Sequence, residues 1–268
     1  NFEHSVQAFF VIQMITGGLV PRMSEYRITN IVLQSERYGR NTDDCEITLK
    51  NNINSKSGIL LVQIKRSFKL GQQVKDFIKT IKDAWKDFNG HNFNKSSDRI
   101  MLITGSLDKN GVGLKNMLTY MQSSYSSSDK FWRDYRNKLT GRSKHELEGF
   151  TRLINRLKDE NDGIIPEDSA IFDFCKSFFI IRSDMHENSF DNGDINLTLI
   201  HSILGGKRWK NNVSPQVVWE RLHTYITGRN KHQINICIDE LPPKLKEIFE
   251  EDKVIHRQDV MQSNSDIA

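Results

Sequence analysis

Three polar residues sit where their side chains could do chemistry together. Asp44 opens a segment of alternating polar and apolar residues, and Gln63 and Lys65 close the next apolar segment. Residues two apart in a strand point to one face, so Gln63 and Lys65 share a face opposite Val62 and Ile64. If the two strands pair, Asp44 lies beside them at the same end of the sheet. A carboxylate, an amide oxygen and an ammonium group then surround one point. The Asp44 and Gln63 oxygens are hard donors suited to Mg²⁺, with Mn²⁺ as a substitute. A cation there would polarise a phosphate, and Lys65 would orient a water or steady the pentacoordinate charge. Those are the requirements of phosphodiester hydrolysis.

Neighbouring residues extend the set. Glu3 and Gln7 lie four apart on a first helix, where Glu3 is expected to supply a further metal contact and Gln7 to support it. Asp43 is expected to point away from the Asp44 face and to serve the turn. Glu46 shares the Asp44 face and reads as solvated. Each residue also has a plainer reading. Asp is common at turns, a strand often ends in polar residues as it leaves the core, and every amphipathic helix has a wet face. Taken together, Asp44, Gln63 and Lys65 favour a site.

The elements that must position these residues follow from periodicity. Phe2 to Ile15 has helical spacing and stops at Gly17-Gly18. Residues 26–34 and 43–50 alternate as strands, and an Asn-rich turn at 51–54 leads into the strand at 59–65. A helix is predicted over 73–89, with Val74, Phe77, Ile78, Ile81, Trp85 and Phe88 as its apolar stripe. Arg99 to Thr104 reads as a buried strand. The pattern from 114 to 174 is helical, with a Ser-rich break at 123–129 and a capping box of Ser143 with Glu146. Residues 178–181 could add a late strand, and 194–204, 214–227 and 242–250 look helical. This order suits a mixed sheet flanked by helices.

Composition sets the frame. The chain has 268 residues, 37% of them hydrophobic and 27% charged, so a core can be buried and wholesale disorder is excluded. The net charge of +4 fits a phosphate-bearing partner but does not require one. Cys45, Cys175 and Cys237 are far apart and form no zinc pattern, which reads as reduced thiols in a cytoplasmic protein. No apolar run is long enough to span a bilayer and no signal peptide is expected. The chain opens at Asn1 inside a helix and ends in polar residues, as a piece of a longer protein would. Arg66, Lys69, Lys75 and Lys79, with Lys82 and Lys86, follow the proposed site along the chain. They are expected to contact a nucleic-acid backbone without reading sequence. Lys207, Arg208, Trp209 and Lys210 form a second small basic cluster.

The segments Thr42-Asp43-Asp44-Cys45-Glu46-Ile47 and Leu61-Val62-Gln63-Ile64-Lys65 resemble the Asp…(Glu/Gln)-x-Lys core of PD-(D/E)xK nucleases, in the Gln-containing Mrr-like form. With the opening Asn1-Phe2-Glu3-His4-Ser5-Val6-Gln7 and with Ala84-Trp85-Lys86-Asp87-Phe88-Asn89, they are similar to N-terminal nuclease domains of bacterial anti-phage effectors. The families named by this resemblance are the CBASS-associated endonucleases and the AVAST-type NTPases. The resemblance implies a restriction-endonuclease-like α/β (α+β) fold over residues 1–182, with a helical insertion at about 114–174. It further implies a helical extension over 186–256 and a tail over 257–268. It implies Mg²⁺-dependent degradation of double-stranded DNA in a homo-oligomer, driven by an NTPase or sensor module. No G-x-x-x-x-G-K-[ST] loop is present, and Gly205-Gly206-Lys207-Arg208 is the nearest approach, so no ATPase activity is expected. The competing expectation is a nuclease-like fold that only binds DNA or holds subunits together.

Overall fold

The computed structural model describes residues 2–35, 39–54, 56–71, 73–137, 141–183, 200, 213–230 and 235–249. Helix α1 (Phe2–Thr16) ends at Gly17, whose φ of 65° lies in the left-handed region that glycine enters without strain. Strands β1 (Leu19–Val20) and β2 (Met23–Leu33) lead to β3 (Cys45–Asn51) and β4 (Ser57–Lys65). Asn51 shapes the turn between the last two, because its Oδ1 accepts the backbone N–H of both Ile53 and Asn54. Helix α2 (Lys75–Phe88) and strand β5 (Arg99–Thr104) follow. Four helices then separate β5 from β6 (Phe178–Arg182): α3 (Lys109–Ser124), α4 (Ser128–Arg136), α5 (Lys144–Asp159) and α6 (Asp168–Ser177). Beyond them are α7 (Pro215–Asn230), β7 (Asn235–Ile236) and α8 (Pro243–Phe249).

These strands form one mixed sheet in the order β1-β2-β3-β4-β5-β6, with β7 also paired to β2. The meander from β1 to β4 is antiparallel, whereas β4, β5 and β6 run parallel. A parallel step needs a crossover, and α2 provides the one from β4 to β5. Each face of the sheet is covered. Val6, Phe10 and Val11 of α1 pack with Leu60, Val62 and Ile64 of β4 and with Val218, Leu222 and Ile226 of α7. Phe77, Ile81, Trp85 and Phe88 of α2 pack on the other face with Leu61, Ile100 and Leu102. Trp85 also meets the edge of Phe174 on α6, at 5.3 Å between centroids. Burying one such ring is worth about 2–3 kcal/mol. Covered on both faces, β4 is buried from Leu60 through Ile64, which is why it reads as a continuous apolar run.

Two local devices hold the helical layer. Ser143 and Glu146 form both halves of a capping box at the start of α5. Gly113 and Gly149 allow α3 and α5 to touch by their backbones, since a Cβ on Gly113 would fall 2.1 Å from the His145 carbonyl oxygen. Residues 194–199 and 201–204 of an expected helix lie outside the described residues, as do Gly205-Gly206-Lys207-Arg208 and the basic cluster at 207–210.

One expectation needs correction here. Asp44 precedes β3 rather than opening it, so the strand alternation that turned Asp43 away from Asp44 does not operate at these positions.

Candidate functional site

The site lies where β4 reaches its carboxyl end. Cys45 pairs with Val62 across the β3–β4 ladder, which brings the preceding Asp44 level with Gln63. The Asp44 carboxylate is drawn into the sheet end. Its Oδ2 accepts the backbone N–H of Ile64 at 2.5 Å and also the Gln63 Nε2–H. Gln63 Nε2 donates in addition to Asp43 Oδ1 at 3.1 Å. Asp43 therefore converges with Asp44 on one amide. The sequence reading had the Gln63 oxygen beside Asp44, whereas the structure turns the nitrogen there. No hydrogen bond to Gln63 Oε1 is made among the described residues.

The loop carrying both acids is fixed from α2. Asp87, buried at 4% exposure, accepts the backbone N–H of Asn41 on Oδ1 at 2.9 Å and that of Thr42 on Oδ2 at 2.7 Å. Asn41 Nδ2 donates to the same Oδ1 at 2.8 Å. The Ala84–Asn89 segment thus positions the acids through one carboxylate, a role that its sequence alone did not reveal. Ser35 closes the other side of the loop, with its Oγ–H given to the Thr42 carbonyl at 2.8 Å.

Charge at the site is unevenly spread. Burial pushes the Asp44 carboxyl up to about 7. The Lys65 charge and the Ile64 N–H oppose that rise, while Glu3 and Asp43 add to it. Asp43 behaves in the opposite way. Burial raises it too, but hydrogen bonds from Lys79 and Gln63 and the charges of Lys79 and Lys65 hold it below the ordinary carboxylate range. Lys65 is half-buried and makes no salt bridge among the described residues. Lys79 is fully engaged, with Asp43 at 3.1 Å and Asp83 at 2.8 Å, and its ammonium is pushed above its usual range once these contacts outweigh burial. Glu46 is not simply solvated. It pairs with Arg40 at 2.5 Å.

Glu3 enters from α1, on the face of the sheet away from α2. Its Oε1 accepts from Gln7 Nε2 at 3.1 Å, Gln34 Nε2 at 2.9 Å and Asn230 Nδ2 at 2.9 Å. Gln7 is fully buried and its Nε2 also reaches the Asp44 carbonyl at 3.3 Å. Gln34 and Asn230 were not singled out in the sequence, and nothing in their local spacing marks them. Arg66, Lys69 and Lys75 are exposed. Among the described residues no three His, Cys, Asp or Glu side chains stand close enough to enclose a metal ion by themselves.

No family model and no curated protein matches the chain. Among solved structures it is similar to Cap4 SAVED/CARF-domain containing receptors. One, from Acinetobacter baumannii, contains the cyclic trinucleotide 3'3'3'-cAAA; it is 11% identical at a TM-score of 0.44, over 88% of this chain and 40% of that one. Another from the same organism is 10% identical at a TM-score of 0.46, over 93% of this chain and 45% of that one. A third, from Moraxella osloensis, is 12% identical at a TM-score of 0.44, over 87% of this chain and 44% of that one. The chain thus spans less than half the length of each. These neighbours are receptors, one of them with a cyclic trinucleotide, and none is described as a nuclease. The resemblance to PD-(D/E)xK nucleases, and with it a double-stranded-DNA-degrading effector or a nuclease-like DNA-binding module, is corrected accordingly. The geometry adds two physical points. Lys79, expected on a DNA backbone, is neutralised by Asp43 and Asp83, and the Gln63 amide offers the acids a donor. No helix among the described residues is long and apolar enough to cross a membrane.

Proposed function

We propose that this chain is a divalent-cation-dependent domain for a phosphodiester-bearing ligand of the nucleotide class, with the ligand held at Asp44, Glu3, Gln63 and Lys65. One observation carries the reading: a buried carboxyl, Asp44, meets Asp43 on the Gln63 amide while the Lys65 charge stands beside it. A buried acid of that kind gains most from a cation, which replaces the proton it would otherwise hold. Its Oδ2 is taken by Gln63 and Ile64, and no hydrogen bond to its Oδ1 is made among the described residues. This donor set fits a single hard cation. Mg²⁺ is commonly held by one or two carboxylates with the remaining positions filled by water and phosphate oxygens. Mn²⁺ would serve in its place.

The chemistry that the cation supplies when bound is polarisation of a phosphate oxygen and a lowered pKa for a coordinated water. Lys65 balances the charge of the phosphate and orients it. Gln63 bridges Asp43 and Asp44 by donating to both. Asp87 fixes the loop, so the acids hold their positions without reorganisation. Hydrolysis of the bound phosphodiester is the reaction we assign to these groups, with Lys65 stabilising the added negative charge. A homo-oligomer, a further sensor or NTPase module on the same polypeptide and a cytoplasmic setting belong to the same proposal. The buried free thiols of Cys45 and Cys175 support a reducing compartment.

The test uses the purified chain with Mg²⁺ or Mn²⁺, a cyclic trinucleotide as ligand and bis(para-nitrophenyl) phosphate as a chromogenic phosphodiester. Expected are ligand binding that requires the cation, release of nitrophenolate, and loss of both in Asp44→Ala. Binding that is equal in EDTA and in Asp44→Ala would overturn the site. Cation-dependent binding without product would keep the site and remove the hydrolysis.

A further inference from the structure

We propose that Asn230, the last residue of α7, is a positioning residue of the Asp44 site, acting through Glu3 and Gln7. The proposal rests on the cation-binding reading above. Its motive is an amide that uses both ends. Asn230 Nδ2 donates to Glu3 Oε1 at 2.9 Å, while its Oδ1 accepts from Gln7 Nε2 and from Gln34 Nε2, each at 3.2 Å. Gln7 Nε2 in turn reaches Glu3 Oε1 at 3.1 Å and the Asp44 carbonyl at 3.3 Å. Three amides, from α1, from the residue after β2 and from the end of α7, therefore converge on one carboxylate, and one of them ties it to the chain at Asp44.

The orientation of Gln7 is dictated by this cluster. Its Nε2 faces three acceptors, and its Oε1 is buried without a donor. Leaving a buried acceptor unpaired costs about 1–3 kcal/mol. Turning the amide over would instead set its oxygen against Glu3, Asp44 and Asn230, which is worse. The amide is locked, and Asn230 supplies one of the three locks. α7 is held in register on α1 by a second polar contact one turn away, between Thr227 Oγ1 and His4 Nδ1 at 3.0 Å. His4 also meets His223 edge to face, at 5.7 Å between centroids. Residues 223, 227 and 230 recur at helical spacing along one face of α7, opposite residues 3, 4 and 7 of α1. Asn230 bonds to Glu3 itself, whereas Thr227 bonds to His4, so the positioning contact and the neighbouring packing contact fall on different residues.

Groups that orient a metal-binding side chain from behind typically account for 10–100-fold in metal affinity. The experiment titrates the full chain with Mn²⁺, following free Mn²⁺ by electron paramagnetic resonance and the water count on bound Mn²⁺ by proton relaxation. Thermal midpoints are recorded alongside. Asn230→Ala is expected to weaken Mn²⁺ by about 10–100-fold and to raise the number of bound waters, as Glu3 loses its fixed orientation. Thr227→Val breaks the neighbouring α1–α7 contact without touching Glu3 and is expected to bind Mn²⁺ as the wild type does. Asn230→Met, which fills the space without the amide, is the second variant and is expected to behave as Asn230→Ala. Wild-type affinity in both Asn230 variants overturns the proposal while leaving the cation site standing. Equal loss in Thr227→Val overturns it in favour of packing alone. A wild-type chain that binds no Mn²⁺ removes the cation site and this proposal with it.

Discussion

The backbone N–H of Ile64 donates to Asp44 Oδ2 at 2.5 Å, so a residue outside the sheet is secured to the carboxyl end of β4. That contact places an acid in the interior at the expense of its hydration. It explains why burial, the largest influence on Asp44, outweighs both the Ile64 N–H and the Lys65 charge.

The first prediction concerns pH. The Asp44 carboxyl lies near 7 in the fold against an ordinary value of 3.8. The folded chain therefore holds a proton that the unfolded chain releases, and stability falls as pH rises from about 4 to about 7. At about 1.4 kcal/mol per pKa unit the ceiling is about 4 kcal/mol. Urea unfolding between about pH 5 and 8 should show this decline. Asp44→Asn, which keeps an acceptor for Ile64, should flatten it, and Mg²⁺ should restore stability at the alkaline end. An unchanged slope in Asp44→Asn would assign the effect elsewhere.

Lys65 makes a second case. Its charge is the largest influence opposing the rise of Asp44. Lys65→Met should move the midpoint of pH-dependent Mn²⁺ binding to higher pH and weaken phosphodiester ligands by about tenfold, or roughly 1.4 kcal/mol. Calorimetric titrations across pH measure both, and an unmoved midpoint counts against the placement of Lys65 beside the acid.

Asp87 tests the loop. It receives two backbone N–H groups and one side-chain N–H from Asn41 and Thr42. Asp87→Ala should cost about 1–3 kcal/mol, because buried donors lose their acceptor. Hydrogen exchange at the Thr42 amide should accelerate, while exchange at Leu102, in the middle of β5, should change no more than global stability requires.

The capping box gives a control remote from the site. Ser143→Ala removes the acceptor for the Glu146 N–H, recorded at 3.3 Å. The expected loss is about 1 kcal/mol in chemical denaturation, with no change in Mn²⁺ affinity. A change in affinity would show that the helical layer and the site are coupled.

Local patterns in the sequence carried much of the architecture. The apolar run ending at Lys65, the stripe Phe77-Ile81-Trp85-Phe88 and the Ser143–Glu146 box each encode their element within a few residues, because periodicity and capping are short-range physics. The same holds for Gln63 and Lys65 sharing a face. What the sequence could not determine depends on residues far apart in the chain. Asp43 joins Asp44 because Asp87 bends their loop, which strand alternation cannot express. The Gln63 amide turns its nitrogen to the acids because two carboxylates reach it at once. Asn230 reaches Glu3 across 227 positions because α7 packs on α1. Hydrophobic spacing is written in neighbouring residues, whereas the direction of a hydrogen bond and the charge state of an acid are set by whatever the tertiary fold brings beside them.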